Sequence, residues 1–239
     1  MTKFLTTILI LIFLSACSSA PEVVPGKGAI YGTISAESHK DIIAKASSKE
    51  DGGIYGNNGQ VVFEKGMVNY HQLKELYVCL ISSSSKGGKD HLLIADNDRM
   101  SHRSLAIARG DKLWVQNNSS KTLTFFLAGQ DDSIQVYSPV KPGERSVIEV
   151  EQEGSLELGS DENEALITTL FSRAGLISQI HSSGEEYLFK GLDPGQYEIL
   201  FWFWRLGFIE KNITIKAGEN IKLNQILSVD KIMANKNDP

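Results

Sequence analysis

Thiolates and imidazoles are the donors a protein needs to hold a transition metal or to build a covalent nucleophile. This chain has two cysteines, Cys17 and Cys79, and five histidines: His39, His71, His91, His102 and His181. The histidines are scattered. None stands at a metal-ligand spacing from another or from Cys79, so they read as solvated surface side chains. Cys79 lies in Leu76-Tyr77-Val78-Cys79-Leu80-Ile81, an apolar run that predicts a buried strand with the thiol packed as a small hydrophobe. Harder oxygen donors gather in Asp161-Glu162-Asn163-Glu164 and in Asp131-Asp132. They could hold a hard cation, although acidic loops are ordinarily just solvated. There is no Gly-x-Ser-x-Gly elbow, no paired serine and histidine and no phosphate-cradling glycine loop. These absences predict a protein with no catalytic residues, no metal and no cofactor. The other unusual feature is aromatic: Tyr197-Glu198-Ile199-Leu200-Phe201-Trp202-Phe203-Trp204, followed by Arg205. Alternation in a strand sends Phe201 and Phe203 to one face and Trp202 and Trp204 to the other. Either both faces are buried in a central strand, or Trp202, Trp204 and Arg205 form an interaction surface.

Cys17 follows a different logic. Lys3 precedes the apolar run Phe4 to Leu14, which is interrupted by Thr6 and Thr7 and ends at Leu14-Ser15-Ala16-Cys17. An apolar stretch this short, closed by small residues, predicts a cleavable secretion signal rather than a spanning helix. The Leu-Ser-Ala-Cys tetrad resembles the lipobox of bacterial lipoproteins. That resemblance implies cleavage after residue 16 and lipidation of Cys17 through its thiol, usually with a further acyl chain on the new amine. The alternative is an ordinary signal with an incidental cysteine. Several acyl chains anchor stably where one does not, at about 0.8 kcal/mol per buried methylene. Ser18 follows the cysteine with no aspartate beside it. In Gram-negative bacteria this resembles cargo sorted to the outer membrane, facing the periplasm.

Charge narrows the partners. The chain carries 24 Lys plus Arg against 29 Asp plus Glu, a net charge of −5. Loss of residues 1–16 removes Lys3 and no acid, leaving 23 against 29, about −6. An acidic surface without basic clusters argues against nucleic acid or anionic lipid as the main partner. The partners expected are the membrane, through the lipid, and a protein of the envelope. With Cys17 lipidated, Cys79 has no cysteine left to pair with in the chain.

The elements that must position these residues are strands. Residues 17–27, with Pro21 and Pro25, read as a linker. Beyond it come short β-branched and aromatic runs at 29–34, 76–81, 105–109, 112–116, 122–127 and 134–137. The series continues at 145–150, 155–158, 167–171, 186–189, 196–204, 209–215 and 220–227. Turn residues separate them, which predicts an all-β protein built of sandwiches. His39 to Lys49 and Glu164 to Phe171 could each hold a helical turn, and 36–74 is a poorly patterned insertion.

Two resemblances refine that architecture. Phe189-Lys190-Gly191-Leu192-Asp193-Pro194-Gly195-Gln196-Tyr197 resembles a turn of transthyretin-like, carboxypeptidase regulatory-like domains. Gly28-Ala29-Ile30-Tyr31-Gly32-Thr33-Ile34 resembles the opening strand of that family, and Leu76 to Ile81 its second. The resemblance implies a discontinuous domain over 28–81 and 175–229, with a flexible tail at 230–239. Between them, Ser104 to Asn118, Pro142-Gly143-Glu144 and Gly154 to Gly159 resemble a Greek-key cupredoxin sandwich over 92–172. The order of these motifs, ending in Trp202-Phe203-Trp204-Arg205-Leu206, is similar to methylamine-utilisation-type, plastocyanin-like periplasmic proteins. A type-1 copper site needs a thiolate, two imidazoles and usually an axial methionine. Where the family has its ligands this chain has Ser119-Ser120-Lys121-Thr122-Leu123-Thr124 and Ser160-Asp161-Glu162-Asn163. The departures imply a cupredoxin-like sandwich without copper. The expectation is therefore a membrane-anchored periplasmic lipoprotein that binds or scaffolds. The alternatives are a copper-binding electron-transfer protein and an accessory module of an envelope enzyme or sensor.

Overall fold

A computed structural model describes residues 21–22, 24–38, 68–82 and 87–230. Residues 1–16, where a secretion signal is expected, Cys17, His39 to Lys49 and residues 231–239 lie outside the described residues. The chain is all-β. Its strands run β1 (Gly28–Ala36), β2 (Leu76–Ile81), β3 (Asp90–Ala95), β4 (Ser104–Ala108), β5 (Lys112–Asn117), β6 (Phe125–Ala128), β7 (Ile134–Val136) and β8 (Arg145–Glu149). They continue as β9 (Gly154–Ser160), β10 (Thr168–Arg173), β11 (Leu176–His181), β12 (Glu185–Leu192), β13 (Gly195–Phe203), β14 (Gly207–Ile215), β15 (Asn220–Lys222) and β16 (Gln225–Leu227). Among the described residues the helical content is one 3₁₀ turn, Tyr70–Gln72.

Four sheets result, and side-chain alternation stacks them as layers. The outermost holds β12-β1-β15, with β16 also on β1. Next comes β11-β2-β13-β14, then β4-β10-β9-β6-β7, and last β3-β5-β8. Ile30 and Ile34 of β1 meet Val78 and Leu80 of β2 and Phe201 and Phe203 of β13 in one core. Leu113 and Val115 of β5 meet Ile107, Phe125, Leu158 and Leu170 in a second. A third cluster joins the two sandwiches: Tyr77, Cys79, Leu200 and Trp202 face Ala106, Ala108 and Phe171. The β2 sheet is thus covered on both faces, which explains why Leu76 to Leu80 are all buried rather than alternating. Ala106 and Ala108, being small, let the two sheets approach. Tyr77 donates its hydroxyl to the Ser104 carbonyl at 2.7 Å, and Ser178 donates to that of Ala106 at 2.8 Å.

Two strands carry no local pattern, and two local expectations are corrected. The strands β3 and β11 were not visible in the pattern: Leu92 on β3 and Ile180 on β11 are apolar yet half exposed, so apolar and polar positions do not alternate there. The 220–227 run is two strands, β15 and β16, each parallel to β1. Glu164 to Phe171 holds no helix. Asn163 accepts from the Ala165 amide at 3.0 Å and its carbonyl from Leu166, a turn that delivers the chain into β10.

Candidate binding groove

The two segments that by resemblance would carry copper ligands do meet, at one end of the second sandwich. The Asp161 amide donates to the Thr124 carbonyl at 3.1 Å. Glu162 then caps the approach, accepting from the Thr124 amide at 2.6 Å, the Thr124 hydroxyl at 2.7 Å and Ser160 at 3.0 Å. Burial alone would raise the Glu162 carboxyl, but these hydrogen bonds together outweigh it and hold the group below its usual range. Buried Asn117 donates to the carbonyls of Lys121 and Val140, both at 2.8 Å, and accepts from Ser119. Asn163 donates to the Asn97 carbonyl at 2.7 Å. Every polar group in this network is oxygen or amide, and each is engaged in holding loops together. The donor set does not fit copper, which wants sulfur and imidazole.

The remaining donors are apart. Asp131 and Asp132 sit in the β6–β7 turn, where Asp131 accepts from Ser133, at the opposite end of β6 from Glu162. Cys79 is fully buried between the sandwiches, and burial pushes its thiol well above the ordinary range. His91 pairs with buried Asp111 at 2.8 Å. That carboxylate also accepts from the Lys89 and Ala108 amides, which makes it a turn-fixing group. His102 lies 3.3 Å from Glu75 and His181 lies 3.9 Å from Glu185; His71 is exposed. No group of three or more His, Cys, Asp or Glu side chains is placed to hold a metal among the described residues.

What the fold does assemble is a groove at the aromatic strand's end. β13 stops at Phe203, opposite Gly207 of β14. A turn closes between them, with the Leu206 amide donating to the Phe203 carbonyl at 2.9 Å. Gly207, at φ 82°, takes the left-handed backbone that returns the chain. Trp204 lies in this turn and differs from Trp202 in burial, although it still packs against the edge of the cluster that holds Trp202. Trp202 is 3% exposed, its ring 5.3 Å from Tyr77 and 5.5 Å from Phe171 between the sandwiches. It belongs to the core and not to an interaction surface. Trp204 is half-buried, and the exposed Arg205 guanidinium stacks on its ring at 4.5 Å.

Facing this turn is the segment that enters β2. Asn69 caps the 3₁₀ turn, accepting from the His71 amide at 3.1 Å, and sets Tyr70 and Leu73 toward the first core. Glu75, at φ 61°, then redirects the chain. Its carboxylate accepts from the amides of Arg103 and Ser104, each at 3.1 Å, and so fixes the start of β4 beside the groove. Phe203, Leu206, Tyr70 and Leu73 form the apolar part of the lining, and Lys74, Arg103 and Arg205 supply three cations. The groove encloses about 340 Å³, at the small end of the ~300–1,000 Å³ typical of ligand clefts. Trp204 and Arg205 were visible in the sequence as the end of an aromatic run. Tyr70, Lys74, Glu75 and Arg103 were not, because they come from two other segments with no motif of their own.

No family model matches the chain, and no curated protein matches it. Similar solved structures are cupredoxins. A purple cupredoxin from Nitrosopumilus maritimus is 15% identical, covering 34% of this chain and 97% of its own, with a TM-score of 0.31. Two oxidised amicyanin mutants are each 9% identical at a TM-score of 0.32. They cover 39% and 41% of this chain and 97% and 98% of theirs. Likenesses of this size carry no argument about a ligand.

Proposed function

We propose that this chain is a non-catalytic binding lipoprotein, anchored through Cys17 at the periplasmic face of the outer membrane, whose contact site is the Trp204–Arg205 groove. The observation that carries the reading is the groove itself: an aromatic ring and a stacked guanidinium held at a turn, beside apolar side chains still open to solvent. Aromatic and arginine side chains in such settings supply most of the energy of protein contacts. The lipobox resemblance at Leu14 to Cys17 supports the anchor. The oxygen and amide donors engaged at the loop end support a binding role over electron transfer.

Two measurements test the parts separately. Cells given a clickable palmitate analogue should label the wild-type chain and not the Cys17→Ser variant; equal labelling of both removes the anchor. Capture of envelope proteins by the detergent-solubilised full chain should fall at least about tenfold for Trp204→Ala, with the folded fraction checked by circular dichroism. Capture that does not depend on Trp204 removes the groove. Copper(II) added to the purified chain should give no intense visible charge-transfer band.

A further inference from the structure

We propose that the groove takes an acidic peptide segment of a partner protein, a carboxylate side chain flanked by a large apolar one. This rests on the binding reading above and names its occupant. The chain as a whole is acidic, at −5, yet among the described residues the groove inverts that sign, with Lys74, Arg103 and Arg205 against the acid Glu75. Glu75 does not answer those cations across the opening. Its oxygens face inward, accepting from the Arg103 and Ser104 amides and from the Ser104 hydroxyl. Charge complementarity therefore calls for an anion from outside.

The geometry of Arg205 selects the kind of anion. Stacking on Trp204 at 4.5 Å covers one face of the guanidinium and limits its rotation, while the N–H edge stays exposed. A planar fork held in this way matches the two oxygens of a carboxylate and loses little entropy on binding. Beside it, half-buried Tyr70 and Leu73 offer an apolar floor. A bare anion would leave that floor wet, whereas a neighbouring leucine or phenylalanine would cover it. The volume admits one or two side chains, which suits a short segment rather than a folded face. An anionic membrane is the weaker occupant, since bilayer attraction needs a broad basic surface and this chain has a concave basic spot in an acidic one.

The test uses the full lipidated chain in phosphatidylcholine vesicles and a fluorescein-labelled peptide repeating Glu-Leu-Asp-Phe. Control peptides carry Gln and Asn for the acids, or Ala for the apolar residues. The acidic apolar peptide should bind, both controls should bind at least about tenfold more weakly, and added salt should weaken binding. Arg205→Gln and Arg103→Gln, both at exposed positions, should each reduce affinity about tenfold without lowering the melting temperature. The inference is overturned if the acidic peptide does not bind, if the amide peptide binds equally, or if neither arginine matters. Displacement of the peptide by vesicles rich in phosphatidylglycerol would assign the groove to lipid and overturn it as well. Capture of an envelope protein that needs Trp204 but is not competed by the peptide would defeat this inference alone and leave the binding reading standing.

Discussion

Glu75 adopts a left-handed backbone, φ 61°, which costs a residue with a Cβ about 1–3 kcal/mol. The return is in its carboxylate, the acceptor for two amides at the head of β4. Replacing it by alanine keeps the strain and orphans those donors, so Glu75→Ala should lose about 1–3 kcal/mol in urea denaturation. Because those amides also place Arg103, groove affinity should fall with it, and Glu75→Gln, which retains an acceptor oxygen, should recover part of both. His181 makes a different kind of prediction. Burial, chiefly, holds its imidazole below the ordinary 6.5, with Glu185 pulling partly the other way, and its Nε2 has no hydrogen-bond partner. The groups facing it are Glu185 and the Tyr187 ring. The fold thus favours the neutral ring. Its contribution to stability is full above pH 6.5 and is lost as the pH falls toward the lower folded value. Urea midpoints measured from about pH 8 to pH 5 should decline less steeply for His181→Gln than for the wild type; equal slopes would remove this role.

Among the strands, what could be seen in advance was whatever one local pattern encodes. β13 announced itself by the aliphatic and aromatic run from Ile199 to Trp204, and β2 by an unbroken apolar run. β3 and β11 hid, because each exposes a large aliphatic residue that only the assembled sheet explains. The same limit applied to the groove. The aromatic run left two readings open, and for Trp202 burial is the one the structure takes, since alternation describes a strand's two faces but not which of them a second sandwich covers. Glycine positions show how much such close approaches matter. A Cβ on Gly32 would lie 2.1 Å from the Leu223 carbonyl oxygen, at the place where the Leu223 amide donates 2.7 Å to Tyr31 and the chain passes from β15 to β16. That contact is with backbone and cannot swing aside. Gly32→Ala should therefore cost about 1–3 kcal/mol or more. Gly191→Ala, at φ 72° with open space around it, should cost only about 1 kcal/mol for its backbone. Thermal denaturation of the pair separates steric cost from conformational cost.

Considered whole, the molecule is two sandwiches whose independence depends on one shared face. That face is mostly apolar, with Trp202 at its centre touching Tyr77 and Phe171. At its edge Arg173 reaches from β10 to both Glu198 of β13 and Glu210 of β14. Burial raises the Glu198 carboxyl and nearby Glu210 adds to this, while Arg173 works against both. Half-exposed ion pairs of this kind contribute little in water, so the apolar centre dominates the coupling. Trp202→Ala should cost about 3–5 kcal/mol and, by opening a cavity at the joint, should split one calorimetric transition into two. Trp204→Ala, which touches solvent, should keep a single transition and lose binding instead. Phe171→Ala enters the same joint from the other side. If the coupling is local, a double-mutant cycle of Trp202 with Phe171 should show an interaction energy of about 0.5–3 kcal/mol, and one of Trp202 with Phe126 on β6, two strands along the sheet from β10, should show none. A single sharp transition in Trp202→Ala would mean that the two sandwiches cooperate through the chain crossings near residues 82 and 175 rather than through the face they share.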